Sequence, residues 1–208
     1  MKESIHVSEI SKEFTEGFKF LEDYPKSVTF FGANQFKEDN PYYIDASKLA
    51  ARVVKDLGYS VLSGGGPGIM EAANRGAKEA GGDSLGLLIK LPLGQVTNHY
   101  ITRAISFHHF FVRKVCLSFS AEAFIFYPGG FGTLDEFFEI LTLIQTKKIK
   151  GVPLICVESA YWNELNNFIE REMLSRGAIT TADLNLFSIV DSHNEIINII
   201  KNGTEYQK

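Results

Sequence analysis

The stretch that decides the fold is "FYPGGFGTLDEFFEIL", residues 126–141. A hydrophobic run ends in a proline and a group of glycines, and a threonine and two acidic residues then open a segment with helical apolar spacing. This order predicts a strand, a tight turn and a helix. Such a turn either only connects the two elements or also holds a negatively charged group at the start of the helix.

The same alternation continues outward from this stretch in both directions. Strands are predicted at residues 27–32, 59–66, 84–92, 123–130, 152–159 and 186–190. Helices are predicted at residues 41–58, 67–81, 107–121, 133–148, 160–177 and 192–203, and residues 93–106 are predicted to be irregular. Because apolar strands alternate with amphipathic helices, the pattern predicts an α/β fold, a Rossmann-like doubly wound parallel sheet in a single domain.

Residues 1–24 are predicted to form a helical extension to the main domain, which spans residues 25–208. Four apolar residues of the extension, at spacings of four, four and three, share one face of a helix: Ile10, Phe14, Phe18 and Leu21. This face either covers the core or packs against a second subunit. The N-terminus carries acidic residues throughout and lacks an apolar core, so no signal peptide is predicted.

The composition is that of a soluble globular protein, with 208 residues, 45% hydrophobic and 22% charged residues, and a net charge of -4. No concentrated basic face is predicted, which argues against a nucleic-acid partner. No stretch approaches the length of a membrane span. Cys116 and Cys156 lie in apolar surroundings without a CxxC pair or a histidine cluster. They predict two buried thiols in a reducing, cytoplasmic setting, and no metal site.

Two of the predicted turns are rich in glycine. Residues 64–66 follow one strand, and Pro67 is expected at the first position of the next helix, which is a favoured place for proline. Residues 128–133 repeat this design and add the hydroxyl of Thr133. Each turn taken alone also fits a plain turn, and Thr133 and Glu136 fit a capping box in which the glutamate only reaches back to the helix start.

Two such turns at neighbouring strand ends of one sheet favour an anion site over plain turns. Backbone without Cβ atoms allows close approach, and the unpaired amides and the helix dipole attract a phosphate. Neither turn matches the G-x-x-x-x-G-K-[ST] pattern of a P-loop, and a G-x-G-x-x-G dinucleotide fingerprint is absent. The candidate strand ends are those at Gly32, at residues 63–67 and at residues 128–133.

Basic residues interrupt the apolar helix predicted at residues 107–121: His108, His109, Arg113 and Lys114. A guanidinium among so many phenylalanines either reaches solvent at the helix edge or meets an anion, which is Glu136 or the phosphate of a ligand. The histidines are predicted to have structural or edge roles rather than catalytic ones. Glu71, one turn into the helix after the first glycine turn, either approaches a sugar hydroxyl or faces water.

The segment "PGGFGTLDE" resembles the PGGxGTxxE signature of the LOG family of nucleoside 5'-monophosphate phosphoribohydrolases. The founding members release cytokinins from their riboside monophosphates, and many bacterial members long carried the name lysine decarboxylase. The similarity extends over residues 26–190 and includes "GGGPGIMEAANRGA" and "FFVRK". The combination with "FHHFFVRK" resembles the longer bacterial branch. Phe131 stands where many members have tyrosine.

This resemblance implies that Arg113 and Glu136 are the catalytic pair. It also implies nucleotide binding by a set of matching positions: Lys114, Gly130, Phe131, Gly132, Thr133, Leu134, Asp135 and Thr142. The glycine turns and the helix that follows the first of them add further candidates for phosphate and sugar binding: Gly64, Gly65, Gly66, Glu71 and Gly129. The family resemblance further implies a homodimer or higher homo-oligomer, a small nucleotide as ligand, and no organic cofactor.

The expected reaction is hydrolysis of the N-glycosidic bond of a nucleoside 5'-monophosphate, such as AMP or an N6-substituted AMP, to free base and ribose 5-phosphate. Residues 95–109 are expected to contribute to the pocket for the base. One alternative is a non-catalytic nucleotide or phosphorylated-cofactor binding protein of the same fold, similar to molybdenum-cofactor carriers. Another is the decarboxylase, which usually needs pyridoxal phosphate on a lysine, and nothing beside Lys114 suggests such a pocket.

Overall fold

The computed structural model describes residues 7–90 and 96–203 of the chain. These residues contain seven strands: β1 Ser27–Phe31, β2 Ser60–Ser63, β3 Ser84–Ile89, β4 Arg103–Phe107, β5 Ala123–Phe126, β6 Leu154–Cys156 and β7 Ser188–Ile189. They form one sheet in the order β4-β3-β2-β1-β5-β6-β7, and every neighbouring pair is parallel. The predicted α/β fold with a parallel sheet is confirmed.

The α-helices of the described residues are α1 Val7–Glu22, α2 Pro41–Arg52, α3 Ile69–Glu79, α4 Phe110–Ser118, α5 Phe131–Gln145, α6 Ser159–Phe168 and α7 His193–Asn202. π-Helical turns extend α2 (Val53–Leu57) and α6 (Ile169–Leu174), and a 3-10 helix, Thr181–Leu186, precedes β7. α2, α3 and α7 cover one face of the sheet, and α1, α4, α5 and α6 cover the other. No helix in the described part of the chain is long and apolar enough to cross a membrane.

The central strands are apolar throughout because both of their faces are buried. Val28 and Phe30 of β1 belong to the core beneath one helix layer, whereas Phe31 belongs to the core beneath the other. This alternation follows from the two-residue period of a strand. Each large apolar side chain removed from water in this way contributes about 1.5–3 kcal/mol, so the two cores together fix the sheet between its helices.

The predicted irregular region at residues 93–106 is wrong in part, because it contains most of β4. This strand lies at the edge of the sheet, and most of its residues are exposed. An edge strand with one open face does not need the continuous apolar run by which the buried strands were predicted. Residues 91–95 lie outside the described residues, as do residues 1–6 and 204–208.

Several predicted boundaries also differ from the structure. The helix predicted from Pro67 begins at Ile69, and the helix predicted from Thr133 begins at Phe131. The helix predicted at residues 107–121 is shorter, because Phe107 still belongs to β4. The last predicted strand, residues 186–190, is reduced to two residues at the other edge of the sheet.

The N-terminal helix α1 packs on the core of its own chain. Leu21 is buried in the same core as α4 and α5, and Ile10 and Phe14 are packed against that core. Gly17 allows a close helix crossing, since a Cβ atom there would lie 2.6 Å from Sγ of Cys116 on α4. Of the two roles that the sequence left open for the apolar face, covering the core is the one seen in the chain.

Candidate functional site

A cavity of about 430 Å³ opens where the order of the strands reverses. The chain first adds β2, β3 and β4 to one side of β1 and then returns to add β5, β6 and β7 to the other. In open α/β sheets, ligands bind at this switch point, outside the carboxyl ends of the strands. Its walls come from the loop after β1, from the ends of β2 and β3, and from α3, α4 and α5: Phe31, Gly32, Ala33, Asn34, Gln35, Gly64, Met70, Ile89, Phe110, Arg113, Leu117, Gly130, Phe131, Gly132, Thr133, Asp135 and Glu136.

The two glycine turns lie on either side of this cavity, but not at neighbouring strands. β1 stands between β2 and β5, which corrects the expectation that the two strand ends are adjacent. The loop after β1 therefore separates the turns and contacts both. The amide of Ala33 donates a hydrogen bond to the carbonyl of Pro128 at 3.0 Å, and the carbonyl of Ala33 accepts one from the amide of Ile69 at 3.0 Å.

The turn before α5 leaves the start of that helix open. Gly130 is the N-cap residue, and no side chain caps the helix. Within the described residues, no hydrogen bond from the amides of Phe131, Gly132 or Thr133 is found. All three residues line the cavity. Three free N–H groups and the positive end of the dipole of a 15-residue helix make this wall of the cavity suited to an anion.

The structure excludes the capping box that the sequence offered as the plain reason for this pattern. Thr133 is the third residue of α5 rather than its N-cap, so Glu136 has no helix start to reach back to. Thr133 is buried and packs against Gly129, where any Cβ atom would collide with the threonine side chain. The carbonyl of Gly129 accepts a hydrogen bond from the hydroxyl of Tyr161 at 2.8 Å, which anchors the turn to α6.

The turn after β2 is bonded into the protein instead. The amide of Gly65 donates to Oγ of Ser63 at 3.0 Å, and the carbonyl of Gly65 accepts from the amide of Asn98 at 3.0 Å. Nδ2 of Asn98 donates to the carbonyl of Gly66 at 3.0 Å. Of residues 64–66, only Gly64 lines the cavity.

The start of α3 is likewise occupied by the protein's own backbone. Gly68, the N-cap residue, has φ +71° and lies so close to the carbonyl of Ala33 that no Cβ atom would fit. The amide of Ile69 donates to that same carbonyl. Pro67 lies before the helix rather than in its first turn. The start of α3 therefore has fewer free amides than it would need to be an anion site equivalent to the start of α5.

Arg113 lies in the wall of the cavity and is only 8% exposed, so it does not extend to bulk solvent. Its Nε donates to the carbonyl of Leu87 at 2.7 Å, and its Nη2 lies 3.5 Å from the carbonyl of Gly64. The guanidinium carbon is 5.9 Å from the ring centre of Phe110. Burial lowers the pKa of Arg113, and the charge of Glu136 opposes this shift. A buried cation that is held by carbonyls and faces a cavity is suited to an anionic ligand.

Glu136 lies in the same cavity and is 6% exposed. Burial raises its pKa from 4.5 to about 7, against the charges of Lys114 and Arg113, which lower it. Its Oε2 atom is buried and has no hydrogen-bond partner among the described residues. Within the same residues no ion pair joins Glu136 to Arg113. A carboxyl group with a pKa near 7 exchanges protons readily at neutral pH, as a general base must.

Lys114 points away from the cavity into an adjoining groove of about 630 Å³. Its Nζ pairs with Oδ2 of Asp135 at 2.7 Å and with Oε2 of Glu139 at 2.6 Å. Burial lowers the pKa of Lys114, but its bonds to these two carboxylates outweigh burial and raise it. The groove also contains Leu134 and Thr142, and it shares Phe131 and Asp135 with the cavity.

Glu71 lies in neither of these spaces. It accepts a hydrogen bond from the hydroxyl of Tyr43 at 3.0 Å in a third depression, behind the loop that follows β1. The cavity thus brings together eight of the predicted positions: Arg113, Glu136, Gly64, Gly130, Phe131, Gly132, Thr133 and Asp135. The groove holds Lys114, Leu134 and Thr142, and the remaining four, Gly65, Gly66, Gly129 and Glu71, lie outside both.

Sequence reasoning missed part of the lining. Asn34 and Gln35 follow β1 at the switch point, and Met70 and Phe110 close the cavity from α3 and α4. The strand end at Gly32 was a candidate, but its polar neighbours were not singled out. Residues 96–109, expected to contribute to a base pocket, do not line the cavity. No group of histidine, cysteine and acidic residues in the described ranges could hold a metal ion.

The sequence and the fold match known proteins. A family model described as "possible lysine decarboxylase" matches residues 70–200. The chain is 31% identical over 148 residues to the cytokinin riboside 5'-monophosphate phosphoribohydrolase LOG2 of Arabidopsis thaliana, with 70% of this chain and 69% of that protein covered. It is 27% identical over 160 residues to the protein of that name from Rhodococcoides fascians, with 76% and 80% covered.

Among solved structures, the molybdenum cofactor binding protein from Rippkaea orientalis has the same fold. The TM-score is 0.60 at 23% identity, and the match covers 85% of this chain and 94% of that one. At this identity the likeness concerns the fold alone. The family model and the Arabidopsis relative carry the assignment: the chain belongs to the LOG family, to which the cytokinin riboside 5'-monophosphate phosphoribohydrolases belong.

Proposed function

We propose that the protein hydrolyses the N-glycosidic bond of a nucleoside 5'-monophosphate, AMP or an N6-substituted AMP such as a cytokinin riboside monophosphate, to free base and ribose 5-phosphate. The names of the curated relatives support this class of reaction. The observation that carries the proposal is a carboxylate oxygen of Glu136, buried without a partner in a cavity that also exposes an open helix start.

The 5'-phosphate binds at the start of α5. Its oxygens accept hydrogen bonds from the amides of Phe131, Gly132 and Thr133, and the helix dipole favours its charge. Arg113, which lines the same cavity, supplies the positive charge that orients the phosphate or the ribose. Phosphate binding serves as a remote anchor, because it holds the sugar where the reaction occurs.

Glu136 acts on the sugar. As the bond between C1' and the base nitrogen breaks, positive charge develops on the ribose ring, and a nearby carboxylate stabilises it. Glu136 then takes a proton from water while the water oxygen forms the new bond to C1'. The departing base keeps the electron pair of the broken bond and takes a proton from solvent water, and Glu136 afterwards releases its proton to solvent. The pKa of about 7 suits a group that must be ionised before reaction and protonated after it.

Two other functions are less well supported. A phosphorylated-cofactor carrier of this fold would use the same anion site, but it has no need for a buried carboxylate with an unused oxygen. A pyridoxal-phosphate decarboxylase needs a lysine whose pKa is lowered, so that the free amine forms a Schiff base. The pKa of Lys114 is raised by two carboxylates, which opposes that chemistry.

The test is incubation of the purified full-length chain with AMP and with adenosine, followed by measurement of free adenine and ribose 5-phosphate. We expect release from AMP and at least about a hundredfold less from adenosine, since the nucleoside lacks the anchoring group. Nucleotide binding without release of base would favour the carrier. Equal rates for both substrates would show that the open helix start does not anchor the substrate through its phosphate.

The homodimer and the cytoplasmic location belong to the same proposal. Phe131, at the mouth of the cavity, is 95% exposed in the single chain, which is unusual for a phenylalanine next to a binding site. Light scattering on the purified protein tests the dimer. We expect twice the mass of the 23.2 kDa chain, and the monomer mass would contradict it.

A further inference from the structure

The segment that leads into α4 is held by a residue far away in the sequence. One carboxylate oxygen of Glu13, on α1, accepts hydrogen bonds from the amide of His108 at 2.7 Å and from its Nδ1 atom at 2.9 Å. The other oxygen accepts from the amide of His109 at 3.2 Å and lies 3.1 Å from Nδ1 of that ring. His109 is the N-cap residue of α4, and no side chain of its own segment caps that helix.

The carboxylate of Glu13 is charged although the residue is only 9% exposed. Burial alone would raise its pKa, but the hydrogen bonds from His108 and His109 outweigh burial and lower the pKa to about 2. Glu13 is therefore ionised under all physiological conditions. A negative charge close to a helix start is favoured by the helix dipole.

The residues that Glu13 binds are connected directly to Arg113. The carbonyl of His109 accepts the hydrogen bond from the amide of Arg113 at 3.2 Å, the first turn of α4. His109, whose amide and ring contact Glu13, is therefore also the residue whose carbonyl binds the backbone amide of Arg113. The Arg113 side chain in turn reaches the carbonyl of Leu87 at 2.7 Å, on β3.

The position of Glu13 is itself fixed by close packing of α1 on α4. Gly17, one turn later on α1, lies against Cys116, and a Cβ atom at Gly17 would also be 3.0 Å from the ring of Phe107. Leu21 continues the contact into the core. α1 therefore packs closely on α4, and its single buried carboxylate binds the two residues that precede the helix carrying Arg113.

We propose that Glu13 is a positioning residue for Arg113: by binding His108 and His109 it fixes the residues from which α4 begins and so the place of the guanidinium in the cavity. This gives the N-terminal extension a part in catalysis without contact to the substrate. The effect on turnover rests on the proposed hydrolase function. The effect on the order of Arg113 does not.

The test compares Glu13→Gln with Glu16→Gln in the full-length chain. Glu16 lies on the same helix, is exposed and, among the residues that the structure describes, forms an ion pair only with Lys12, so its variant is the matched control. For Glu13→Gln we expect kcat with AMP to fall about tenfold with less than about a threefold change in KM, the size of effect that loss of one hydrogen bond to a charged group can have. Hydrogen exchange at Nε of Arg113, followed by NMR, is expected to become about tenfold faster. The control is expected to change neither.

The two readouts separate this proposal from the proposed function. If the wild type hydrolyses no nucleoside monophosphate, the hydrolase proposal fails, and exchange at Arg113 still decides the role of Glu13. A Glu13→Gln variant that is less stable but keeps the kcat and the Arg113 exchange of the wild type would overturn the positioning role. If that variant does not fold, Glu13→Asp, which keeps the charge on a shorter side chain, is expected to show smaller changes in the same direction. Unchanged exchange there would overturn the role equally.

Discussion

The two glycine turns look alike in sequence and differ in what they leave free. In the turn after β2, the amide of Gly65 and the carbonyls of Gly65 and Gly66 are bonded within the protein. In the turn after β5, the amides of the first three residues of α5 have no hydrogen-bond partner among the described residues and face the cavity. The first turn therefore shapes the cavity, and the second is the one suited to an anion.

This difference teaches that glycine content does not by itself define a phosphate site. Glycine is needed wherever φ is positive or another group approaches closely, and both reasons apply to Gly65 and Gly68 for internal packing. At Gly132 neither applies, because the space around a Cβ atom is empty. The space beside Gly132 is open, as a ligand site requires.

The largest expected effect comes from Glu136, which belongs to the helix of the open turn. We expect Glu136→Gln to lower kcat by about a hundredfold or more, since it removes the base, while nucleotide binding and the fold are kept. Glu79→Gln, on the exposed side of the helix after the occupied turn, is the control and should change kcat little. Steady-state assays with AMP, and calorimetry for binding, measure both. If Glu136→Gln kept the turnover of the wild type, the helix after the open turn would not supply the catalytic base.

A second prediction concerns the occupied turn. Gly65 has φ +75°, and a Cβ atom there would clash with Leu88 and approach Ile101 to 3.0 Å. We expect Gly65→Ala to lower the free energy of unfolding by about 1–3 kcal/mol through strain and crowding. Denaturant unfolding followed by circular dichroism measures this loss. Unchanged stability, together with lost nucleotide binding, would make this turn a ligand site and reverse the comparison.

The matched change in the open turn is Gly132→Ala. Nothing lies within 4 Å of a Cβ atom at this position, so the stability should stay the same or rise by less than about 1 kcal/mol. The methyl group would occupy space needed by the phosphate, and we expect the Kd for AMP to rise about tenfold. Calorimetric titration gives the Kd, and the same unfolding experiment gives the stability. Tight binding by this variant would argue against phosphate at the amide of Gly132.

The last prediction concerns the pH dependence of stability. The pKa of Glu136 is raised from 4.5 to about 7 in the folded chain, so the folded state binds this proton more tightly than the unfolded state does. Its contribution to stability is full below pH 4.5 and is lost as the pH rises through 7. Relative to Glu136→Gln, the wild type should lose on the order of 2 kcal/mol between these values. Urea unfolding of both proteins at several pH values measures the difference, and parallel curves would contradict the raised pKa.

Much of the fold could be predicted because its central strands are buried on both faces. A continuous apolar run as short as that of β5, bounded by turn residues, is typical of such a buried strand, and the amphipathic helices between the runs imply parallel pairing. β4 escaped prediction because an exposed edge strand lacks that run. The separation of the two turns by β1 depends on strand order, which local sequence does not encode.

The candidate site was predictable in its parts but not in its arrangement. The motif at residues 128–136 and its resemblance to a family singled out Glu136, and the basic pair in an apolar helix singled out Arg113. The bonds that occupy the first turn come from Asn98, in a region with no clear periodicity. Glu13 accepts a hydrogen bond from the amide of His108, 95 positions away, a contact that only the folded chain creates.

The most direct test of the proposed site is a crystal structure of the Glu136→Gln variant with AMP bound. We predict that the phosphate lies within hydrogen-bond distance of the amides of Phe131, Gly132 and Thr133, and that the side chain at position 136 faces C1' of the ribose. A phosphate bound instead at residues 64–68, or a side chain at position 136 turned away from the sugar, would contradict the proposal.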